Sequence, residues 1–279
     1  MTYRSILVHV DGSAAGGARV DAAVALATRF NCPLTGVFLR SSRLPRHMFA
    51  DAIIPMTQDV LDGRIEERTR EIEAVSNQAR EVFRAHLGRE PITMRWLDID
   101  DENGDQLIHC AKRHDLTILP PELTPAFSDR AISAARIGVA SGGPLLILKP
   151  GACPVPFGRK ILVAWNDSRE AMRAIRDAWP LLEMAQEIHV VRASRNAEAE
   201  LDPLMLRLMS DHGCRAPRLH VDRNDEAPVE DLIRLHAGRT GADLIVLGLY
   251  GHSRLREMAM GGVSRSLLTS PPIPLFVSH

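Results

Sequence analysis

Apolar residues along this chain fall into short unbroken runs, and between the runs they recur at helical spacing. In the second half the runs are Lys160–Trp165, Glu187–Arg192, Arg218–Val221, Leu244–Gly248 and Pro274–Val277. They predict five strands. The stretches between them predict helices over Ser168–Met184, Ala197–His212, Pro228–Thr240 and Val263–Thr269. In the first of these Ala171, Ile175, Ala178, Trp179 and Leu182 share one face. Strands that do not alternate with polar residues, separated by helices, imply a parallel sheet covered on both faces.

The pattern occurs twice. "SILVHVDGSAAGGARVDAAVALATRFNCPLTGVFL" (Ser5–Leu39) matches "KILVAWNDSREAMRAIRDAWPLLEMAQEIHVV" (Lys160–Val191) in its strand, its D/N-x-S helix start and its helical apolar spacing. "HDLTILPPELTP" (His114–Pro125) parallels "ADLIVLGLYGHS" (Ala242–Ser253), and "GPLLILKP" (Gly143–Pro150) parallels "IPLFVSH" (Ile273–His279). The Pro- and Gly-rich "PGACPVPFGR" (Pro150–Arg159) reads as a linker, which divides the chain into domains over 1–150 and 158–279. An extra segment, Ser41–Val60, precedes a long charged helix running through about Leu87. Its mixed Met, Pro and Phe content reads as a surface flap or dimer arm.

Length and composition narrow the partners. At 279 residues the chain has room for two domains, and 45% apolar with 25% charged residues is ordinary for a globular protein. A net charge of −1 gives no basic excess for nucleic acid. No apolar stretch approaches the ~18–20 residues of a membrane span, and no cleavage site follows the first apolar run. Cys32, Cys110, Cys153 and Cys214 are dispersed without a C-x-x-C pair, which fits a reducing cytoplasm and argues against zinc. The expectation is a cytoplasmic protein with no nucleic-acid or membrane partner.

Candidate chemistry concentrates in "GLYGHSRLREMAMGGVSRSLL" (Gly248–Leu268). Gly248 ends a strand, at the edge where parallel α/β sheets bind ligands, and a glycine there leaves room for a close approach. Gly251 repeats the opportunity. Gly261 and Gly262 lead into a helix whose unpaired N–H groups and dipole favour an anion, with the Ser264 hydroxyl in its first turn. His252, Arg254, Arg256 and Arg265 add positive charge. Neither G-x-G-x-x-G after a first strand nor G-x-x-x-x-G-K-[ST] is present, so dinucleotide and P-loop readings fall.

G-x-x-G, nine residues, then a glycine pair at the end of a five-stranded α/β unit resembles the ATP-binding motif of the universal stress protein family. "ILVAWNDSREA" resembles that family's first strand and turn, and "PPIPLFVSH" its closing strand. The resemblance covers nearly the whole chain as two tandem copies. It implies two five-stranded parallel-sheet domains, Rossmann-like and adenine nucleotide alpha hydrolase-like, related by a pseudo-two-fold. It also implies pairing of the copies within the chain, with homodimers among relatives through the last strand. The implied ligand is ATP, ADP or AMP, with Mg accompanying the nucleotide. Gly248, Gly251, Gly261, Gly262, Val263 and Ser264 would hold phosphates and ribose, with His252 and Arg254 beside them. Ala164, Trp165, Val190 and Val191 would line the adenine, and Asn166 stands where the family commonly has aspartate. Gly262 likewise stands where many ATP binders have Ser or Thr.

The first copy has "PPEL" (Pro120–Leu123) and "ISAARIG" (Ile132–Gly138) where the motif would be. Proline has no N–H for a phosphate and Glu122 repels one, so this copy is expected to be structural, with Asp11–Ser13 as a helix cap. His109 and His114 are spaced as surface residues. Asp98–Asp105 lacks the spacing of a calcium loop and is expected to cap a helix near Gly104. Asp167 and His252 are the candidates for activating water, and neither belongs to a recognised catalytic set. Three functions stay open: a nucleotide-binding stress protein with at most slow ATP hydrolysis, a nucleotide-free dimeric scaffold, and an adenylating enzyme, the last lacking a phosphate loop after Trp165.

Overall fold

A computed structural model of the chain describes residues 2–43, 58–88, 91–149, 151, 156–193, 203–222, 227–249 and 262–279. The first half contains β1 (Ile6–His9), α1 (Ala14–Phe30), β2 (Leu34–Arg40), α2 (Gln58–Leu87), β3 (Met94–Asp100) and α3 (Asp105–Ala111). It continues with β4 (Leu116–Leu119), β5 (Glu122–Leu123), β6 (Ile132–Ser133), α4 (Ala134–Ser141) and β7 (Leu145–Ile147). The second half contains β8 (Lys160–Ala164), α5 (Arg169–Asp177), α6 (Trp179–Leu182), β9 (Glu187–Ala193), α7 (Pro203–Asp211) and β10 (Arg218–Asp222). It ends with α8 (Val229–Thr240), β11 (Leu244–Gly248), α9 (Gly262–Thr269) and β12 (Leu275–Ser278).

Local chemistry sets these boundaries. Ser13, Ser133 and Ser168 each sit in extended backbone before a helix and accept a hydrogen bond from the N–H three residues on, satisfying one orphan donor. Asn31, Gly142 and Gly241 close helices in the left-handed conformation. The helix expected over Ser168–Met184 is broken at Ala178, because Pro180 lacks an N–H and sits in the first turn of the short α6. The acidic loop caps α3 as expected: the buried Asp101 carboxylate accepts from the N–H groups of Gly104, Asp105 and Leu107.

Among the described residues ten strands form one sheet in the order β10-β9-β8-β11-β12-β7-β4-β1-β2-β3. Every pair is parallel except β7–β12, where Leu275 faces Ile147 and Val277 faces Leu145. Outward from that pair each half repeats one order. β12 has β11 on one side and β7 on the other, so it offers no free edge to another chain. Alternate strand residues serve opposite cores, which is why the runs lack polar positions. Ile161 and Val163 pack with α1, α2, α5 and α7, whereas Leu162 and Ala164 pack with α3, α4, α8 and α9.

One repeated device anchors the first strand of each half. Asp115 accepts from the Arg4 N–H at 2.7 Å. Its counterpart Asp243 accepts from Gly158, Arg159 and Lys160 at 2.9, 3.1 and 3.1 Å. Asp243→Ala strands those donors at the entry to β8 and is expected to cost about 1–3 kcal/mol, read as a lowered urea midpoint that Asp243→Asn partly restores.

Candidate functional site

Strand order reverses between β8 and β11, so their carboxyl ends diverge and open a crevice of the kind that binds ligands in α/β sheets. Ala164, Trp165 and Asn166 leave β8 at this edge, Val190 and Val191 lie in β9, Gly248 ends β11, and Gly262, Val263 and Ser264 begin α9. Gly251, His252, Arg254 and Gly261 lie outside the described residues.

The strand residues are close together but do not form one wall. Ala164 is paired with Val191 in the ladder, and the Trp165 N–H donates to the Val191 carbonyl at 2.9 Å. Ala164 and Val191 face the α8–α9 side of the sheet, while Trp165 and Val190 pack into the opposite core. The Trp165 side chain is therefore a core group, with the residue only 5% exposed. Asn166 is committed to the turn into α5. Its Oδ1 accepts from the Ser168 N–H at 3.3 Å and hydroxyl at 2.6 Å, and Ser168 Oγ accepts from the Ala171 N–H. Asp11 and Ser13 build the same turn in the first half. An amide oxygen replaces a carboxylate oxygen without losing either bond.

The glycines differ from the sequence reading. A Cβ on Gly248 meets not open crevice but the α5 backbone, 2.4 Å from Ala171 N and 2.4 Å from Glu170 C. The reading of Gly248 as a place left bare for a ligand is corrected accordingly: its missing side chain lets α5 lie directly against β11. Gly262 is the opposite case: among the described residues nothing lies within 4 Å of an added Cβ at this first residue of α9. Val263 is half-buried and Ser264 is buried, 6% exposed, in the same first turn.

In the first half the matching crevice, between β1 and β4, is occupied by the chain itself. β5 and β6 pair antiparallel across it, and Ala126 between them bridges in parallel to Arg40 at the end of β2. The Ala126 N–H donates to the Leu39 carbonyl at 2.8 Å, and the Ser41 N–H donates to the Ala126 carbonyl at 2.9 Å. β3 already holds the other side of Arg40, so Ala126 takes the β2 edge that β1 vacates after His9. Arg68 of α2 lies 4.1 Å over the Phe127 ring and donates to the Phe127 carbonyl at 3.1 Å. The sequence revealed the missing motif here but not the strap that replaces it.

At the end of β1 lies a charged cluster whose residues the second half does not repeat. The buried Arg19 donates to the His9 carbonyl and to Asp11 Oδ2, both at 2.8 Å, and contacts His9 Nδ1 at 3.2 Å. Ala164, Asn166 and Ala174 stand at the corresponding positions. Burial, then the Arg19 charge, lowers His9 to about 3. Burial pushes Asp11 upward, but Arg19 and the two Ser13 hydrogen bonds outweigh it and hold the carboxyl at about 2. Both shifts give stability that is present at neutral pH. The unfolded chain binds the His9 proton below pH ~6.5 and the folded chain refuses it, so stability falls by up to about 1.4 kcal/mol per pH unit from there toward pH 3. Asp11 adds a further loss from its unfolded value toward pH 2. Urea midpoints measured from pH 7.5 to 4 are expected to fall accordingly, with the slope reduced in His9→Ala.

Among the described residues no group of three or more His, Cys, Asp or Glu side chains is arranged to hold a metal ion. No described helix is long and apolar enough to cross a membrane. His114, expected on the surface, is half-buried and hydrogen-bonds to the Cys110 carbonyl and Thr35 Oγ1.

Residues 158–279 match the family described as Universal stress protein family. The whole chain is similar in fold to a universal stress protein from Archaeoglobus fulgidus DSM 4304, with a TM-score of 0.69 and 16% identity over 98% of this chain and 97% of that one. It is similar also to a functionally unknown protein from Pseudomonas aeruginosa PAO1, with a TM-score of 0.58 and 16% identity over 99% and 92%. At these identities the likeness is one of fold. No curated protein sequence matches the chain.

Proposed function

We propose that the second half of this chain, whose residues 158–279 match the universal stress protein family, binds an adenine nucleotide as part of a cytoplasmic stress response. The reading rests on the open amino end of α9. Gly262 begins the helix with none of the described residues within 4 Å of an added Cβ, at the carboxyl edge of a parallel sheet beside a strand-order reversal. The positive end of a helix dipole at such a place favours a phosphate. In this reading Gly251, Gly261, Gly262, Val263 and Ser264 receive the phosphates and ribose, with His252 and Arg254 supplying charge. Gly248 contributes by seating α5, and the ends of β8 and β9 at Ala164 and Val191 flank the adenine. Magnesium would arrive with the polyphosphate.

The arrangement holds a ligand more readily than it transforms one. Asp167, at φ 59°, belongs to the turn before α5, and no described base is paired for water activation. Turnover of ATP is therefore slow at most. The first half acts as a structural partner, because its own strap fills its crevice, leaving one site per chain.

Thermal unfolding with ATP, ADP and AMP tests the proposal. A ligand at ~100 times its Kd is expected to add about 2.7 kcal/mol of stability. No stabilisation by any of the three at millimolar concentration overturns it. The alternative, a nucleotide-free scaffold, draws on the packing of Gly248 and Trp165, whose sequence signals are both explained by the fold. Partner binding that survives Gly251→Val would favour that alternative.

A further inference from the structure

Three histidines distant in sequence meet beside α8, which packs on β8 and β9 and reaches β10 through His236. His189 Nδ1 is 2.9 Å from His220 Nε2, and the two rings stack with centroids 5.2 Å apart. His236 of α8 packs on His220 from the other side, with centroids 5.3 Å apart. His189 and His236 are buried, 4% and 8% exposed, and His220 is half-buried.

Among the described residues, one carboxylate and two cations lie at the His189 and His220 end of this stack. Glu187 of β9 places Oε2 3.4 Å from His189 Nε2. That carboxylate is already shared with Lys160 of β8 at 3.0 Å and Arg218 of β10 at 3.2 Å. Arg218 also acts on His220 from its own strand, as do His189 and His236.

Proton counting then limits the stack. With both rings neutral, one of His189 Nδ1 and His220 Nε2 carries a hydrogen and the other accepts it. One added proton is tolerated, because the bridge keeps a single hydrogen and Glu187 faces the far nitrogen of His189. A second proton on this same pair places hydrogens on both bridging nitrogens at 2.9 Å and sets two cations in contact. β10 is the outer strand of the second half, and among the described strands β9 is its ladder partner.

We propose that this stack is a pH-sensitive latch, which holds α8 and the edge strand β10 on β9 at neutral pH and releases them when the His189–His220 pair takes up more than one proton. Burial first, then the neighbouring histidines and Arg218, lowers the His220 value, in keeping with that resistance. His220 lies opposite Val191 in the ladder, so release at β10 reaches the strand that flanks the candidate site. The latch stands whether or not a nucleotide binds there.

Amide exchange on the full chain at pH 7.5 and pH 5.5, corrected for intrinsic rates, tests this. One pH unit of refused protonation corresponds to about tenfold in an opening equilibrium. The amides of Leu219, Val221 and Ile233–Ala237 are expected to lose at least about tenfold protection at pH 5.5, and His220→Gln is expected to abolish that difference. Unchanged protection in the wild type, or an unchanged pH response in His220→Gln, overturns the latch. Should that variant fail to fold, an NMR titration of the wild-type histidine rings decides: all three rings protonated with α8 still protected overturns it, and a second proton taken up only as protection is lost supports it.

Discussion

Gly248→Ala is expected to destabilise the chain by about 3 kcal/mol or more, the upper range for forcing an atom into a filled interior. The added Cβ would lie 2.4 Å from Ala171 N, 2.4 Å from Glu170 C and 2.7 Å from Glu170 O. All are backbone atoms, so no rotamer change relieves the overlap, and the start of α5 must move away from β11. That movement reaches further than one contact. The Ala171 N–H is held by Ser168 Oγ, which is itself held by Asn166, so displacing α5 disturbs the cap and the turn together. α5 also carries Asp177, whose carboxylate accepts from Ser278 Oγ at 2.6 Å and whose carbonyl accepts from Tyr3 Oη at 2.7 Å. The second of these joins the two halves. Urea denaturation is the measurement, with Gly262→Ala as the control. That substitution also trades a glycine for alanine but meets none of the described residues, and its effect is expected to stay within about 1 kcal/mol. Equal stability of the two variants would show that Gly248 is not a packing residue.

Gly248 also marks how far the sequence could be read. Leu244–Gly248 was legible as a strand to the residue, because five consecutive buried positions leave no competing period. Why the strand ends in glycine was not legible, since a ligand and a helix backbone both require the same missing side chain. Pro180 did announce the break at Ala178, yet the apolar spacing through Leu182 continues across it and hid the interruption. The strap in the first half left less trace. Its strands are two residues long, below any period, and its decisive bridge joins Arg40 to Ala126 across a long stretch of chain. "PPEL" therefore read as the loss of a site, when the same residues lead into the segment that fills it. The histidine stack is likewise a product of topology: His189, His220 and His236 come from two strands and a helix, and nothing in their spacing joins them. Repetition was the strongest signal, because the same turn chemistry at Asp11–Ser13 and Asn166–Ser168 fixes the same strand-to-helix step twice.

Gly262→Asp is expected to leave the fold intact and to weaken nucleotide binding at least tenfold. The two effects separate because they depend on different features of one position. Added atoms meet none of the described residues within 4 Å, and Gly262 lies in helical backbone, so a side chain brings no strain there. An acidic residue in the first turn of a helix is favourable with its dipole, by about 0.3–1 kcal/mol. Stability should therefore hold or rise slightly. A phosphate drawn to the same helix end instead meets a like charge. At about 4 Å and an effective dielectric near 20 the repulsion is about 4 kcal/mol per charge pair before salt screening reduces it. Even a third of that is a tenfold loss in affinity. Gly262→Ser makes the complementary test, since it adds a hydroxyl donor at the same open position without charge, and is expected to hold or tighten binding. Calorimetric titration of both variants with ATP and ADP, beside their urea midpoints, reads the two effects independently. Wild-type affinity in Gly262→Asp would move the nucleotide away from the amino end of α9, and with it the proposed site.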